Sequence, residues 1–217
     1  MCELLNNPVL LYNSYIMIIS DVSQCKKNKN RVNIYVNGEF LLACYAETAI
    51  SNKLEPGRDL SEAEVADIKR EDGEKFALET ALKYVSYCPR TKKETIDKLR
   101  SKELDQACID SAMAKLIEYG YINDAEYAKT FAELQLQKYG SRAVYHKLLL
   151  KGIDPATANE VLKDSNDIEL IKSMLEKLAL KYADDDKWKK RKKIIGYLYR
   201  KGFDYDDILS AVGENEE

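Results

Sequence analysis

The chain has 217 residues, of which 33% are charged, with 9 glycines, 4 prolines and a formal net charge of −3. That length suits one or two ordinary domains or a short array, the composition fits a soluble, helix-rich protein, and no apolar run is long enough to span a bilayer. The overall charge does not favour nucleic acid, so any such affinity has to come from local patches.

Residues 1–16, MCELLNNPVLLYNSYI, lack the basic start and small-residue cleavage site of a secretory signal and are read as an extension, with Met17 as an alternative start. Arg31 to Tyr45 reads as a hairpin turning at Asn37-Gly38, a strong two-residue turn signal. A tight turn there pairs Val36 with Glu39, Ile34 with Leu41 and Val32 with Ala43, leaving Tyr35 and Phe40 on the other face. Met17 to Val22 is the expected third strand, since an isolated hairpin is rarely stable. The basic segment from Cys25 to Arg31 between them is read as a solvated turn, for want of a glycine cradle that would hold a phosphate.

After Pro56-Gly57, Ser61 and Glu64 have the spacing of a capping box and open a linking helix expected to stop near Asp72-Gly73. From there the chain reads as helix. The first inward stripe is Phe76, Leu78, Ala81, Leu82 and Val85, ended by Pro89. Thr91 and Glu94 open a second helix with Ile96 and Leu99 inward, and Asp105 caps a third burying Ile109, Met113 and Leu116. Gly120 closes that helix, and Asn123 with Glu126 opens the next, which runs to Gly140 with Tyr127, Phe131, Leu134 and Leu136 facing inward. Ser141 restarts a helix through Leu148 that ends at Gly152, a residue suited to the left-handed turn, and Asp154-Pro155 caps the next. Further inward positions are Val144, Val161 and Leu162, then Ile168, Ile171, Leu175 and Leu178, then Trp188, Ile194, Leu198, Ile208 and Val212.

One pattern recurs three times. Leu99-x4-Leu104-Asp105, Leu148-x4-Ile153-Asp154 and Leu198-x4-Phe203-Asp204 lie at offsets of 49 and 50 residues. Two copies carry Lys-Gly before the anchor, whereas the first has Lys102-Glu103 and is expected to turn differently. The fold expected is mainly α, tandem three-helix repeats in an elongated curved array behind a small N-terminal β-hairpin or three-stranded sheet. Its divisions fall at 17–72 for hairpin and linking helix, then 73–122, 123–166 and 167–217 for the repeats, the last with an acidic tail.

Chemistry for catalysis is thin. His146, the only histidine, stands beside Lys147 and reads as a surface or packing residue. Asp184-Asp185-Asp186 lacks the glycine and terminal glutamate of a calcium loop and reads as a helix break and cap. The five cysteines show no metal-ligand spacing and are expected to be reduced thiols, with Cys44 and Cys88 as core candidates. No metal, cofactor or enzymatic activity is expected. The informative polar residues are cations at corresponding places in the repeats: Lys92, Lys93, Lys98 and Arg100; Lys138, Arg142, Lys147 and Lys151; Lys189, Lys190, Arg191, Lys192, Lys193, Arg200 and Lys201. Stacked repeats align such positions into a stripe suited to an acidic protein or a nucleic-acid backbone, with Tyr139, Tyr145, Tyr197 and Tyr199 among them.

The run Gly120-Tyr121-Ile122-Asn123-Asp124-x2-Tyr127-Ala128, the run Lys138-x-Gly140-Ser141-Arg142-x5-Leu148-x2-Lys151-Gly152-Ile153 and the three-unit layout resemble the RecX family of recombinase regulators over roughly residues 17 to 213. Asn123 departs from the acidic residue common there, and Ala143-Val144 stand where a more polar pair would be unremarkable. The resemblance implies a cytoplasmic, non-enzymatic modulator, expected as a monomer. Its implied partner is the RecA recombinase filament on single-stranded DNA, whose strand exchange, ATP hydrolysis and co-protease role it restrains. Two other readings stand beside it: a protein acting directly on single- or double-stranded DNA through the basic stripe, and a general helical scaffold.

Overall fold

Local capping chemistry sets most helix starts, and the computed structural model shows it over residues 17–26 and 28–213, the residues described. The expectations placed on the extension 1–16, on Lys27 and on the acidic tail beyond Gly213 lie outside them. The fold is mainly α, ten helices among the described residues behind a small N-terminal sheet. Two compact units are formed: residues 17–79 with Leu104–Ala112, and Thr80–Glu103 with residues 113–213.

In the first unit, strands β1 (Met17–Gln24), β2 (Arg31–Val36), β3 (Glu39–Tyr45) and β4 (Asp59–Leu60) form an antiparallel sheet in the order β3-β2-β1-β4. The third strand is where the sequence puts it, and the two-residue fourth, pairing Met17 with Leu60, has no sequence signature. The hairpin register differs from the expected one. Val36 pairs with Glu39 and Tyr35 with Phe40, but a bulge then sets Ile34 against Leu42 and Val32 against Cys44. The extra residue, Leu41, moves Leu42 and Cys44 onto the buried face, where a straight ladder would have placed Ala43. The core gathers Ile19, Ile34, Val36, Leu42 and Cys44 with Leu54, Leu60, Val65 and Ile68. Burial pushes the Cys44 thiol up to about 11, which keeps it protonated.

Helix α1 (Ala46–Ser51) leads to α2 (Glu62–Val85), capped reciprocally by Ser61 and Glu64. Contrary to expectation, α2 runs through Asp72-Gly73 without a break. Both residues serve contacts: Asp72 accepts from the Tyr45 amide and from Arg31, both at 2.6 Å, and a Cβ on Gly73 would lie 2.8 Å from Cys108 Sγ. Glycine here trades helix propensity for close packing.

The second unit takes up the end of α2 and continues with α3 (Lys92–Arg100), α4 (Gln106–Glu118, from Met113), α5 (Asp124–Gln135), α6 (Ser141–Leu150), α7 (Pro155–Leu162), α8 (Asp167–Lys181), α9 (Lys187–Arg200) and α10 (Tyr205–Gly213). Thr91 and Glu94 make a full capping box, the Asn123 side chain accepts from the Ala125 and Glu126 amides, and Asp154 caps α7 with Pro155 at its first position. Asp186 caps α9, as the acidic run predicts, and the amide of Lys189 holds its carboxyl below the usual range. Helix α5 stops at Gln135 rather than reaching Gly140, so residues 136–140 form a turn.

Leu99, Leu148 and Leu198, the repeat anchors, are all fully buried. One core holds Ala128, Ala132, Val144, Leu148, Ile153 and Ala158, another Ile171, Leu175, Ile194, Leu198, Phe203 and Ile208. After each anchor the chain makes a left-handed turn, at Gly152 with φ +86° and at Gly202 with φ +89°. The first copy, expected to differ, turns the same way at Glu103 with φ +56°. Four expected core residues face solvent instead: Leu134, Ile168, Trp188 and Cys88.

Candidate partner-binding surface

The cations singled out in the sequence lie on α3, α6 and α9 and the turns around them, and the way these helices meet decides what each cation does. The N-terminus of α3 abuts the C-terminal turn of α6, and the N-terminus of α6 abuts that of α9. Both junctions use the same parts. Thr91 Oγ1 donates to the Lys151 carbonyl at 2.7 Å, and the Gly140 amide, 49 residues on, donates to the Lys201 carbonyl at 3.1 Å. The first amide of α3, on Lys92, donates to Asp124 at 2.9 Å. The first amide of α6, on Ser141, donates to Asp167 at 2.9 Å. Asp124 and Asp167 each open the first helix of a repeat, so each carboxylate caps a helix of the preceding repeat as well as lying at its own N-terminus.

Close approach makes the glycines obligatory. A Cβ on Gly152 would collide with the Lys93 side chain, and one on Gly202 with Ala143. Lys93 and Arg142, equivalent by the repeat offset, both reach carbonyls at the end of the next helix: Lys93 donates to Leu150 at 3.5 Å, Arg142 to Tyr199 at 3.1 Å. Cations there satisfy orphan carbonyls and oppose the helix dipole. Arg142 also lies 4.2 Å over the Tyr199 ring and 3.9 Å from Asp204. Lys151 pairs with Glu94 at 2.5 Å. Lys147 sits 3.1 Å and Lys201 4.6 Å from the centroid of Tyr139, with Gln135 accepting from Lys147.

The repetition of these cations therefore has a structural origin at Lys93, Arg142, Lys151 and Lys201. The others are placed outward or beside rings. Lys92, Arg100, Lys138, Lys189, Lys193 and Arg200 are exposed; Lys98 is half-buried near the Tyr84 ring, and Lys190 and Arg191 are half-buried on α9. Lys193 pairs with Asp185 at 2.7 Å and Lys189 with Asp186 at 3.4 Å. His146 is exposed, its ring edge-on to Tyr145. The sequence reading quotes Asp124 only within the family-like run and does not single out Asp167; the signal for their capping role is recurrence at the first position of a helix that opens a repeat.

Burial pulls the Glu94 carboxyl upward, but the hydrogen bonds from Lys151 and the Thr91 amide outweigh it and hold it below its ordinary 4.5. The hydrogen bond to Glu94 raises Lys151 above its ordinary 10.5. A depressed carboxyl contributes stability above its unfolded pKa that is lost as pH falls through the folded value, and a raised ammonium contributes stability below its unfolded pKa that is lost as pH rises through the folded one. The junction is expected to hold between those limits and to weaken at both ends. In urea titrations of the single-tryptophan signal, Glu94→Gln should flatten the acid limb between about pH 5 and pH 3 relative to the parent. Parallel acid limbs would show that the pair adds nothing.

Residues 17–61 match the regulatory protein RecX N-terminal domain, and 77–116, 123–162 and 165–212 match the first, second and third RecX three-helix domains. A regulatory protein RecX of Clostridium tetani is 30% identical over 207 residues, covering 93% of this chain and 95% of that protein. One of Bacillus velezensis is 30% identical over 203 residues, covering 91% and 77%. The crystal structure of RecX from Lactobacillus salivarius is similar with a TM-score of 0.63 at 34% identity, over 66% of this chain and 97% of that one. A second crystal structure of a regulatory protein RecX shares the fold with a TM-score of 0.67 at 24% identity, over 91% and 99%. Among the described residues no helix is long and apolar enough to cross a membrane.

Proposed function

Because the chain belongs to the RecX family of regulatory proteins, we propose that it binds the filament formed by RecA recombinase on single-stranded DNA and restrains strand exchange, ATP hydrolysis and co-protease activity. It acts in the cytoplasm as a monomer, by occupying its partner and without catalysis of its own. The observation that carries this reading is the serial junction. Three helices, α3, α6 and α9, are joined end to end by repeated contacts, so comparable surface recurs along the second unit. A filament is a partner whose own surface recurs, and a serial array engages several of its subunits at once, gaining avidity from contacts that are individually weak.

The exposed Lys92 and Lys138 are the foremost proposed contacts, with the exposed Arg100 and Arg200 and the half-buried Lys98, Lys190 and Arg191 beside them. Lys93, Arg142, Lys151 and Lys201 hold the junctions, so reversing their charge would disturb packing before it tested binding. The test is ATP hydrolysis by RecA on single-stranded DNA with this protein titrated in. Hydrolysis should fall at substoichiometric protein, and Lys92→Glu with Lys138→Glu should raise the amount required several-fold while the melting curve stays unchanged. Undiminished hydrolysis and strand exchange at saturating protein would overturn the proposal.

A further inference from the structure

Along one side of α9 runs a groove of about 410 Å3. Trp188, Lys192, Gly196 and Arg200 line it at successive intervals of four residues, an inclined row that rises ~6 Å and turns ~40° about the helix axis at each step. Lys189 and Lys193 form the adjoining row. The sequence of α9, KWKKRKKIIGYLYR, holds seven cations and no carboxylate, although the chain as a whole is acidic. Gly196 keeps the floor open: a Cβ there would meet only Arg200 Nη1, at 3.4 Å.

Trp188 is the unexpected member. Expected inward in the sequence reading, it is 69% exposed, with Lys192 Nζ 5.1 Å from its ring centroid. A large ring left in water beside cations offers two surfaces at once, a flat face for stacking and a field that attracts anions. The acid partners of Lys189 and Lys193 are Asp186 and Asp185, in exposed or half-exposed pairs that water already weakens and a phosphate can replace. An acidic polypeptide would answer the cations but leave the ring uncovered. Duplex DNA keeps its base faces stacked inside. A single strand presents both phosphates and free base faces, and stacking on an aromatic ring beside a basic groove is how such strands are held without regard to sequence.

We propose that the α9 groove binds single-stranded nucleic acid directly, with Trp188 stacked on a base and Lys189, Lys192, Lys193 and Arg200 along the backbone. The contact needs no recombinase, and it stands or falls separately from the filament reading.

Trp188 is the only tryptophan of the chain, so its fluorescence reports on the groove alone. The full chain is titrated with an oligothymidylate in the absence of any recombinase, at two salt concentrations. Quenching of the tryptophan is expected, with affinity falling as salt rises. Trp188→Ala, followed by anisotropy of a labelled oligothymidylate, should weaken binding by about 5- to 150-fold, the equivalent of one base stack. Gly196→Leu fills the groove and crowds the Arg200 guanidinium while leaving the ring in place, and should weaken binding as well, with the helix preserved by circular dichroism. Absence of quenching, unchanged affinity in both variants, or equal competition by duplex DNA would overturn the proposal. Equal quenching and competition by polyglutamate would also overturn it, marking the groove as a surface for acidic polypeptides.

Discussion

Gly202→Ala is expected to destabilise the second unit by about 2–4 kcal/mol, combining the strain of a left-handed alanine with a collision in packed surroundings. The backbone at Gly202 has φ +89°, and an added Cβ points into Ala143 at the start of α6. The only relief is to withdraw α6 from the end of α9. That movement would break the hydrogen bond from the Gly140 amide to the Lys201 carbonyl and disturb Phe203, which is fully buried next to the turn. The first repeat supplies the opposite sign. Glu103 makes the same turn with a side chain at φ +56°, so Glu103→Gly should stabilise by about 0.5–1 kcal/mol once the strain relieved exceeds the entropy lost. Urea denaturation followed by tryptophan fluorescence reads the first directly, because Trp188 lies in that unit, and circular dichroism reads both. A Gly202→Ala protein within about 0.5 kcal/mol of the parent would mean that the junction does not depend on close approach.

Asp72→Ala should cost the first unit about 3–5 kcal/mol, the usual result of removing one partner from a buried, hydrogen-bonded ion pair. Asp72 is 7% exposed, and its two oxygens are spent on the Tyr45 amide and on Arg31. Arg31 in turn donates to the Ala43 carbonyl at 2.7 Å and lies 4.7 Å over the Tyr45 ring and 5.6 Å over that of Phe76. Removal of the carboxylate strands a mostly buried guanidinium and an amide at the end of β3. Arg31→Met in the Asp72→Ala background should recover part of the loss, since the stranded charge is then gone and the apolar stem still packs. Loss of less than about 1 kcal/mol in the single variant would show that α2 is held to the sheet by the apolar core alone.

The two variants touch different kinds of sequence signal. Gly202 belongs to a motif that recurs with its lysine and its anchor, and its left-handed turn is legible in the sequence. Asp72 looked like a helix stop because it precedes a glycine, and only the neighbouring sheet explains why a helix keeps both. Trp188 is a similar case. The sequence reading groups it with Ile194 and Leu198 as inward, yet six and ten residues along a helix set it about 120° and about 80° round from them, and it faces outward beside Lys192. Periodicity of three and four residues states that a residue lies near a face, but the edge of the face depends on how the next helix crosses it. Likewise the bulge at Leu41 cannot be inferred from Asn37-Gly38, because the turn sets the first pairs and burial sets the rest.

Among the candidate contacts, the cations themselves were legible and their division of labour was not. Lys93 and Arg142 look like surface charges in a list of residues, and their equivalence across 49 positions reads equally well as a binding stripe. In space Lys93 leans on the end of α6 and Arg142 on the end of α9, where helix carbonyls lack partners within the helix. Helix starts, the left-handed turns at Gly152 and Gly202, repeat anchors and family membership were determined by the sequence itself, because each depends on interactions among residues a few positions apart or on their order along the chain. The sheet register, the unbroken α2, the two junctions and the exposed ring of Trp188 were decided by tertiary structure, because each depends on which distant surface arrives to cover a residue and which does not.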